Sequence, residues 1–202
     1  MWGFGLLANE QYGSLPTPSI KTAGYTFTGG EWYSAATGGS KGFASTTIGR
    51  TDTTIYARCN PKQYTISYNC NNGTGCPSNQ TYSYAPSGTI NLSSTIPTRK
   101  GYTFSGWSGS DGRAYSKGQS YNKNITSNLT LTAKWTANQF TVAYNGNSNT
   151  GGSTSSHKCT YDSACSLSSN GYSRTGYTFA GWKKDNSGSV LSAGSSIKNA
   201  VD

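Results

Sequence analysis

Two short stretches of the chain alternate apolar and polar residues strictly. In "QYTISYN" at 63–69, Tyr64, Ile66 and Tyr68 alternate with Thr65 and Ser67. In "LTLTAKW" at 129–135, Leu129, Leu131, Ala133 and Trp135 alternate with Thr130, Thr132 and Lys134. Successive side chains of a strand point to opposite faces, so a period of two predicts two half-buried strands. Between them, "GYTFSGW" at 101–107 places Tyr102 and Phe104 on one strand face. Gly106 there permits a bulge or a close backbone approach that turns Trp107 inward. The Asn-Gly pair of "NNGTG" at 71–75 and the Asp-Gly pair of "SDGR" at 110–113 carry the chemistry of tight hairpin turns. No long helical period is present.

The same pattern recurs along the chain. "GYTFTGG" at 24–30 and "GYTFAGW" at 176–182 flank "GYTFSGW" at offsets of 77 residues (Gly24 to Gly101) and 75 residues (Gly101 to Gly176). "QFTVAYN" at 139–145 repeats the opening strand, and "TTIYARC" at 53–59 falls on the closing one. Such a period means similar modules in tandem. The expected division is residues 1–62, a partial module without its opening strand; 63–138, a complete one; and 139–202, a partial module without its closing strand. Both ends are then expected to be cut inside a module, leaving edges that strand addition from another copy could cover and so build a filament. The repeated rings Tyr102, Phe104, Trp107, Trp135, Tyr177, Phe179 and Trp182 are expected to fill successive small cores. In the first module Gly30 stands at the tryptophan position, and Trp32, two residues on and on the same strand face, is expected to restore the ring.

Composition sharpens this picture. Only 33% of the 202 residues are hydrophobic and the mean hydropathy is -0.60, yet 13% are aromatic, so the cores must be built largely from rings. Twenty-six glycines, with abundant Ser, Thr and Asn, favour strands and turns. The net charge of +9 comes from scattered cations, among which Arg99, Lys100, Arg113 and Lys117 are candidates for a glycan or polyanion surface. Without a basic run or helix, nucleic acid is not an expected partner. No stretch approaches the length of a membrane span, and the opening residues lack a basic signal-peptide region.

Five cysteines raise the question of redox state. Cys70 and Cys76 enclose "NNGTG", and Cys159 and Cys165 enclose "TYDSA", each with five residues between. These are candidate structural disulfides, which would suit a small module with a sparse aliphatic core and an oxidising compartment; free thiols and a metal site stay open. Metal binding has few ligands to draw on, since His157 is the single histidine and the spacing is not that of a zinc site. Cys59, in step with Ile55 and Ala57, is expected to be a buried small hydrophobe, with a link to another chain left open.

The seven acids, Glu10, Glu31, Asp52, Asp111, Asp162, Asp185 and Asp202, do not recur at equivalent places. No paired-carboxylate, Cys-His or phosphate-loop arrangement is readable, so no enzyme activity, cofactor or metal is expected.

Taken together, "QYTISYN", "YGSLPTP" at 12–18, "PTRKGYTFSGW" and "LTLTAKW" resemble the Listeria-Bacteroides repeat, also called the internalin B-repeat, of bacterial surface proteins. The resemblance implies a β-rich chain of tandem, small β-grasp-like (ubiquitin-like) modules of about 75 residues each. It also implies an extracellular spacer, adhesive or interaction role with no catalytic residues. A non-catalytic surface segment acting as stalk, adhesin or filament-forming unit is therefore expected, with glycan or polyanion binding as the alternative. Neighbouring modules or other copies of the chain are the expected partners. Cys59 in place of the closing Trp, Gly30 in place of the phrase's Trp, and the two cysteine pairs depart from the family's usual pattern.

Overall fold

The computed structural model describes residues 22–42, 54–184 and 187–198. The "YGSLPTP" element and Glu10, Asp52, Asp185 and Asp202 lie outside the described residues. Among the described residues the chain is built of strands, turns and bends, with no helix. The β-rich expectation holds.

In the first repeat, β1 (Tyr25–Tyr33) lies between β2 (Lys41–Gly42) and β3 (Tyr56–Pro61). The second repeat contributes β4 (Gln63–Asn69), β5 (Gln80–Ser83), β6 (Thr89–Asn91), β7 (Tyr102–Gly109), β8 (Ala114–Tyr115), β9 (Ser120–Asn122) and β10 (Leu129–Ala137). Five of them form one sheet in the order β5-β4-β10-β7-β8, while β6 and β9 pair with each other. Among the described residues of the third repeat the strands form two-stranded pairs. These are β11 (Gln139–Val142) with β13 (His157–Thr160), β12 (Gly151–Gly152) with β15 (Tyr172–Ser173), β14 (Cys165–Ser166) with β18 (Ser196–Ile197), and β16 (Trp182–Lys184) with β17 (Ser187–Leu191).

The contacts gather into two compact units. Of the described residues, one comprises 22–42, 54–67, 78–94 and 118–130; the other comprises 68–77, 95–117, 131–184 and 187–198. In the first, β4 runs antiparallel to β5 with Tyr64 opposite Tyr82 and Ile66 opposite Gln80. Ile66, Tyr82, Leu92, Tyr121 and Leu129 are buried there. Tyr82 packs edge-on against Tyr121, centroids 5.9 Å apart, and donates to the Ile125 carbonyl at 3.2 Å. Burial first, and the neighbouring Tyr121 hydroxyl second, push the Tyr82 hydroxyl far above the usual tyrosine range, so it stays protonated and keeps donating.

In the second unit, β7 and β10 run antiparallel, Trp107 opposite Ala133 and Phe104 opposite Trp135. Three residues of β7 separate these stations but only two of β10, and the register shifts there. Gly106 takes φ 121° inside the shift, a conformation that side chains resist, and the extra residue rotates Trp107 to full burial at 0% exposure. The predicted alternation is visible in β10, where Leu129, Leu131 and Ala133 are buried while Thr130 and Lys134 are exposed. The β7–β8 hairpin turns through Ser110–Arg113 with Gly112 at φ 81°. Asp111 clasps this turn by accepting from the Arg113 amide at 3.1 Å and the Tyr115 hydroxyl at 2.6 Å. Burial acts to raise the Asp111 carboxyl, but those hydrogen bonds outweigh it and leave its pKa below the ordinary value.

Candidate functional site

The seven-letter phrase divides into two halves with different work. Its Phe-Gly-Trp end packs inward, with Trp107 fully buried and Phe104 half-buried beside it. Phe104 and Trp107 meet edge to face at 5.0 Å, Tyr68 closes on Trp107 at 5.1 Å, and Trp135 covers Phe104 at 5.8 Å. Trp135 also anchors the turn at 70–73, donating its indole N–H to the carbonyls of Cys70 and Asn71 at 3.0 and 3.1 Å.

The first repeat reaches the same arrangement through different spacing. Trp32 stands opposite Ala57 and Phe27 opposite Cys59, as Trp107 stands opposite Ala133 and Phe104 opposite Trp135. A larger register shift between Phe27 and Trp32 absorbs the extra residues, and Trp32 is buried at 7% exposure. In the third repeat the half-buried Trp182 packs on Tyr144 at 4.5 Å and Phe179 at 4.9 Å, with its indole N–H donating to the Ser168 carbonyl at 3.0 Å. Gly181 takes φ 135° before it, matching Gly106.

The Gly-Tyr end of the phrase forms a joint, a role the repeat alone did not reveal. At the first joint the Lys62 amide donates to the Gly24 carbonyl at 2.7 Å, and the Tyr84 amide donates to the Lys62 carbonyl at 2.8 Å. The rings of Tyr25 and Tyr84 meet edge to face at 5.1 Å and 76°. At the second joint Asn138 donates to Gly101 at 2.9 Å and Tyr161 donates to Asn138 at 2.8 Å. Tyr102 and Tyr161 meet at 5.5 Å and 77°. In both joints a Cβ on the glycine would run into the incoming ring, so the missing side chain is what admits it. The Tyr102 hydroxyl donates to Asp162 Oδ2 at 2.7 Å, which raises its pKa above the ordinary tyrosine value, and Arg99 stacks over its ring at 4.0 Å. The signal for the joint was present in the chain: Tyr84 and Tyr161 are separated by the same 77 residues as Gly24 and Gly101.

Three expectations need correction. Tyr102 is half-buried and packs at the joint rather than in the core around Trp107, because it lies opposite Ala137 at the end of β10, beyond the reach of Trp135. Tyr177 and Phe179 are not core residues either, being 67% and 40% exposed. Among the described residues, none covers Phe179 as Trp135 covers Phe104, and no second tyrosine meets Tyr177. Cys59 is exposed and free rather than buried. It pairs with Phe27 in β3, where the closing tryptophan of the second repeat is replaced by a side chain too small to reach across the phenyl face.

Cys70–Cys76 and Cys159–Cys165 are disulfide-bonded, with Cα atoms 5.6 and 5.7 Å apart. They staple different places, Cys70–Cys76 the turn beneath Trp135 and Cys159–Cys165 the end of β13. His157 lies beside the second pair, with Nε2 3.4 Å from Cys165 Sγ and Nδ1 3.3 Å from Ser168 Oγ. The ligand atoms of His157, Cys159 and Cys165 lie within 4.8 Å of one another, a juxtaposition the spacing did not suggest. With the sulfurs joined, no thiolate is available and the imidazole is the only strong ligand of the three. Of the cations considered for a polyanion surface, Arg99 is engaged with Tyr102 and the Asn71 carbonyl, and Arg113 lies 3.9 Å from Asp111. Lys100 and Lys117 are exposed.

Ring stations and glycine-tyrosine contacts thus recur along a β-rich chain in step with its sequence repeat. The chain matches the Listeria-Bacteroides repeat domain three times, over residues 7–58, 64–134 and 140–200, and it belongs to that family. It is 38% identical over 93 residues to Internalin H of Listeria monocytogenes serovar 1/2a (strain ATCC BAA-679 / EGD-e). That similarity covers 46% of this chain and 15% of the length of Internalin H. No solved structure matches the chain.

Proposed function

We propose that this chain is a non-catalytic, extracellular repeat segment of a bacterial surface protein, serving as a stalk, adhesin part or filament-forming unit. The observation that carries the reading is the recurrence of one joint geometry between consecutive repeats: such joints set spacing and direction between modules and need no ligand. The family match, the similarity to Internalin H and the two disulfides support an oxidising, extracellular setting. In this reading the modules are residues 1–62, 63–138 and 139–202, with Lys62 and Asn138 as the linking residues. A β-grasp-like unit is supported by the strand order β5-β4-β10-β7-β8, which sets the first and last strands of the second repeat side by side at the sheet centre. Filament growth by strand addition is one form of this role, drawing on sheet edges as templates.

Surface labelling tests the reading. Antibodies raised against the chain should stain intact bacterial cells that produce it; staining that requires lysis would contradict an extracellular role.

A further inference from the structure

The third copy of the phrase retains the joint's receiving half, and among the described residues no ring is seated on it. Gly176 has φ 79° where Gly101 has 77°, and the Tyr177 amide donates to the Arg174 carbonyl at 3.0 Å, as Tyr102 donates to Arg99 at 3.1 Å. Arg174 stacks over Tyr177 at 4.1 Å, as Arg99 does over Tyr102 at 4.0 Å, and it donates to the Asn147 carbonyl at 3.2 Å, as Arg99 donates to the Asn71 carbonyl at 3.4 Å. The difference lies at the glycine. A Cβ on Gly101 would strike Tyr161, whereas nothing described lies within 4 Å of one placed on Gly176.

We propose that Gly176 and Tyr177, with Arg174 stacked on the ring, form a preformed docking socket for the tyrosine of a further repeat, the residue standing where Tyr84 and Tyr161 stand. The occupant follows from continuity with the two filled joints. Both seat a tyrosine, both align it through a linking residue whose amide bonds the glycine carbonyl, and both need the glycine to be bare. Because the ring and its arginine already hold the bound geometry, docking spends little on ordering them. The exposed Phe179 lies two residues along, at the station that in the second repeat is covered by Trp135 of that repeat's own closing strand. The socket rests on the structural reading above and adds its coupling surface and the chemistry of its partner.

Tyrosine nitration by tetranitromethane, mapped by mass spectrometry, tests the socket. In the 202-residue chain Tyr177 should react several-fold faster than Tyr102. In the same chain lengthened by a second copy of residues 126–202, which supplies a closing strand, a linking asparagine and a tyrosine, Tyr177 should fall to the level of Tyr102. Gly176→Val in the lengthened chain should restore fast reaction. Unchanged Tyr177 reactivity in the lengthened chain, with the appended disulfide formed, would overturn the socket. Should the appended copy not fold, the filled joint decides: Gly101→Val must raise the reactivity of Tyr102 and Tyr161 while Trp107 emission stays blue-shifted, and no rise at either would overturn the socket equally. Either failure would leave the extracellular reading standing, since that depends on labelling of intact cells.

Discussion

Trp107 and Tyr177 come from two copies of one phrase, yet one is sealed from water and the other stands in it. Burial decides what each contributes. Trp107→Ala removes a ring packed against Tyr68 and Phe104 and should cost about 3–5 kcal/mol, as truncations of buried aromatics do. Tyr177→Ala should stay within about 0.5 kcal/mol of the parent, as exposed substitutions usually do. Urea unfolding of the two variants checks this, and equal losses would show that the two rings are equally buried. The Tyr102 hydroxyl supplies a test by pH. Its hydrogen bond to Asp162 raises the folded-state pKa above the unfolded value, so the stabilisation is complete below the ordinary tyrosine range and is lost as pH rises through the raised value. Unfolding midpoints for parent and Tyr102→Phe should therefore converge in strong alkali; a constant difference across that range would remove Asp162 as the cause.

At the scale of elements, the period-two stretches were legible because each places apolar residues on one buried face, as Ile66, Tyr68, Leu131 and Ala133 show. The bulge was legible from Gly106 for the same kind of reason, since a conformation open only to glycine leaves its mark in the sequence. The β6–β9 ribbon was not, because its three-residue strands are too short to display a period and depend on the pairing of Ile90 with Tyr121. Cys59 misled for a related reason: alternation gives the face of a strand but not whether anything packs on that face. The disulfides close loops of five intervening residues, and each should contribute roughly 2 kcal/mol on the chain-entropy account of small loops. Thermal melts of oxidised chain against reduced, alkylated chain should show the loss; identical melts would mean the turn at 70–76 and the end of β13 hold their shape unaided.

Across the whole molecule, sequence repetition marked three copies of one pattern, which the family matches three times, but not which residues bring consecutive copies together. The phrase's tyrosine, as Tyr102 and Tyr177, looked like core because it recurs beside core residues; the partners at the joints, Tyr84 and Tyr161, are separated from Tyr25 and Tyr102 by about 60 residues and meet them only through the fold. If consecutive repeats are coupled through these rings, Tyr25 and Tyr84 must contribute to stability together. A double-mutant cycle of Tyr25→Ala and Tyr84→Ala, read by denaturant unfolding, should give a favourable coupling of about 0.5–1.5 kcal/mol, the range of packed aromatic pairs. Strictly additive losses would contradict a joint built on paired tyrosines, and with it the view that this chain works through the linkage of its repeats.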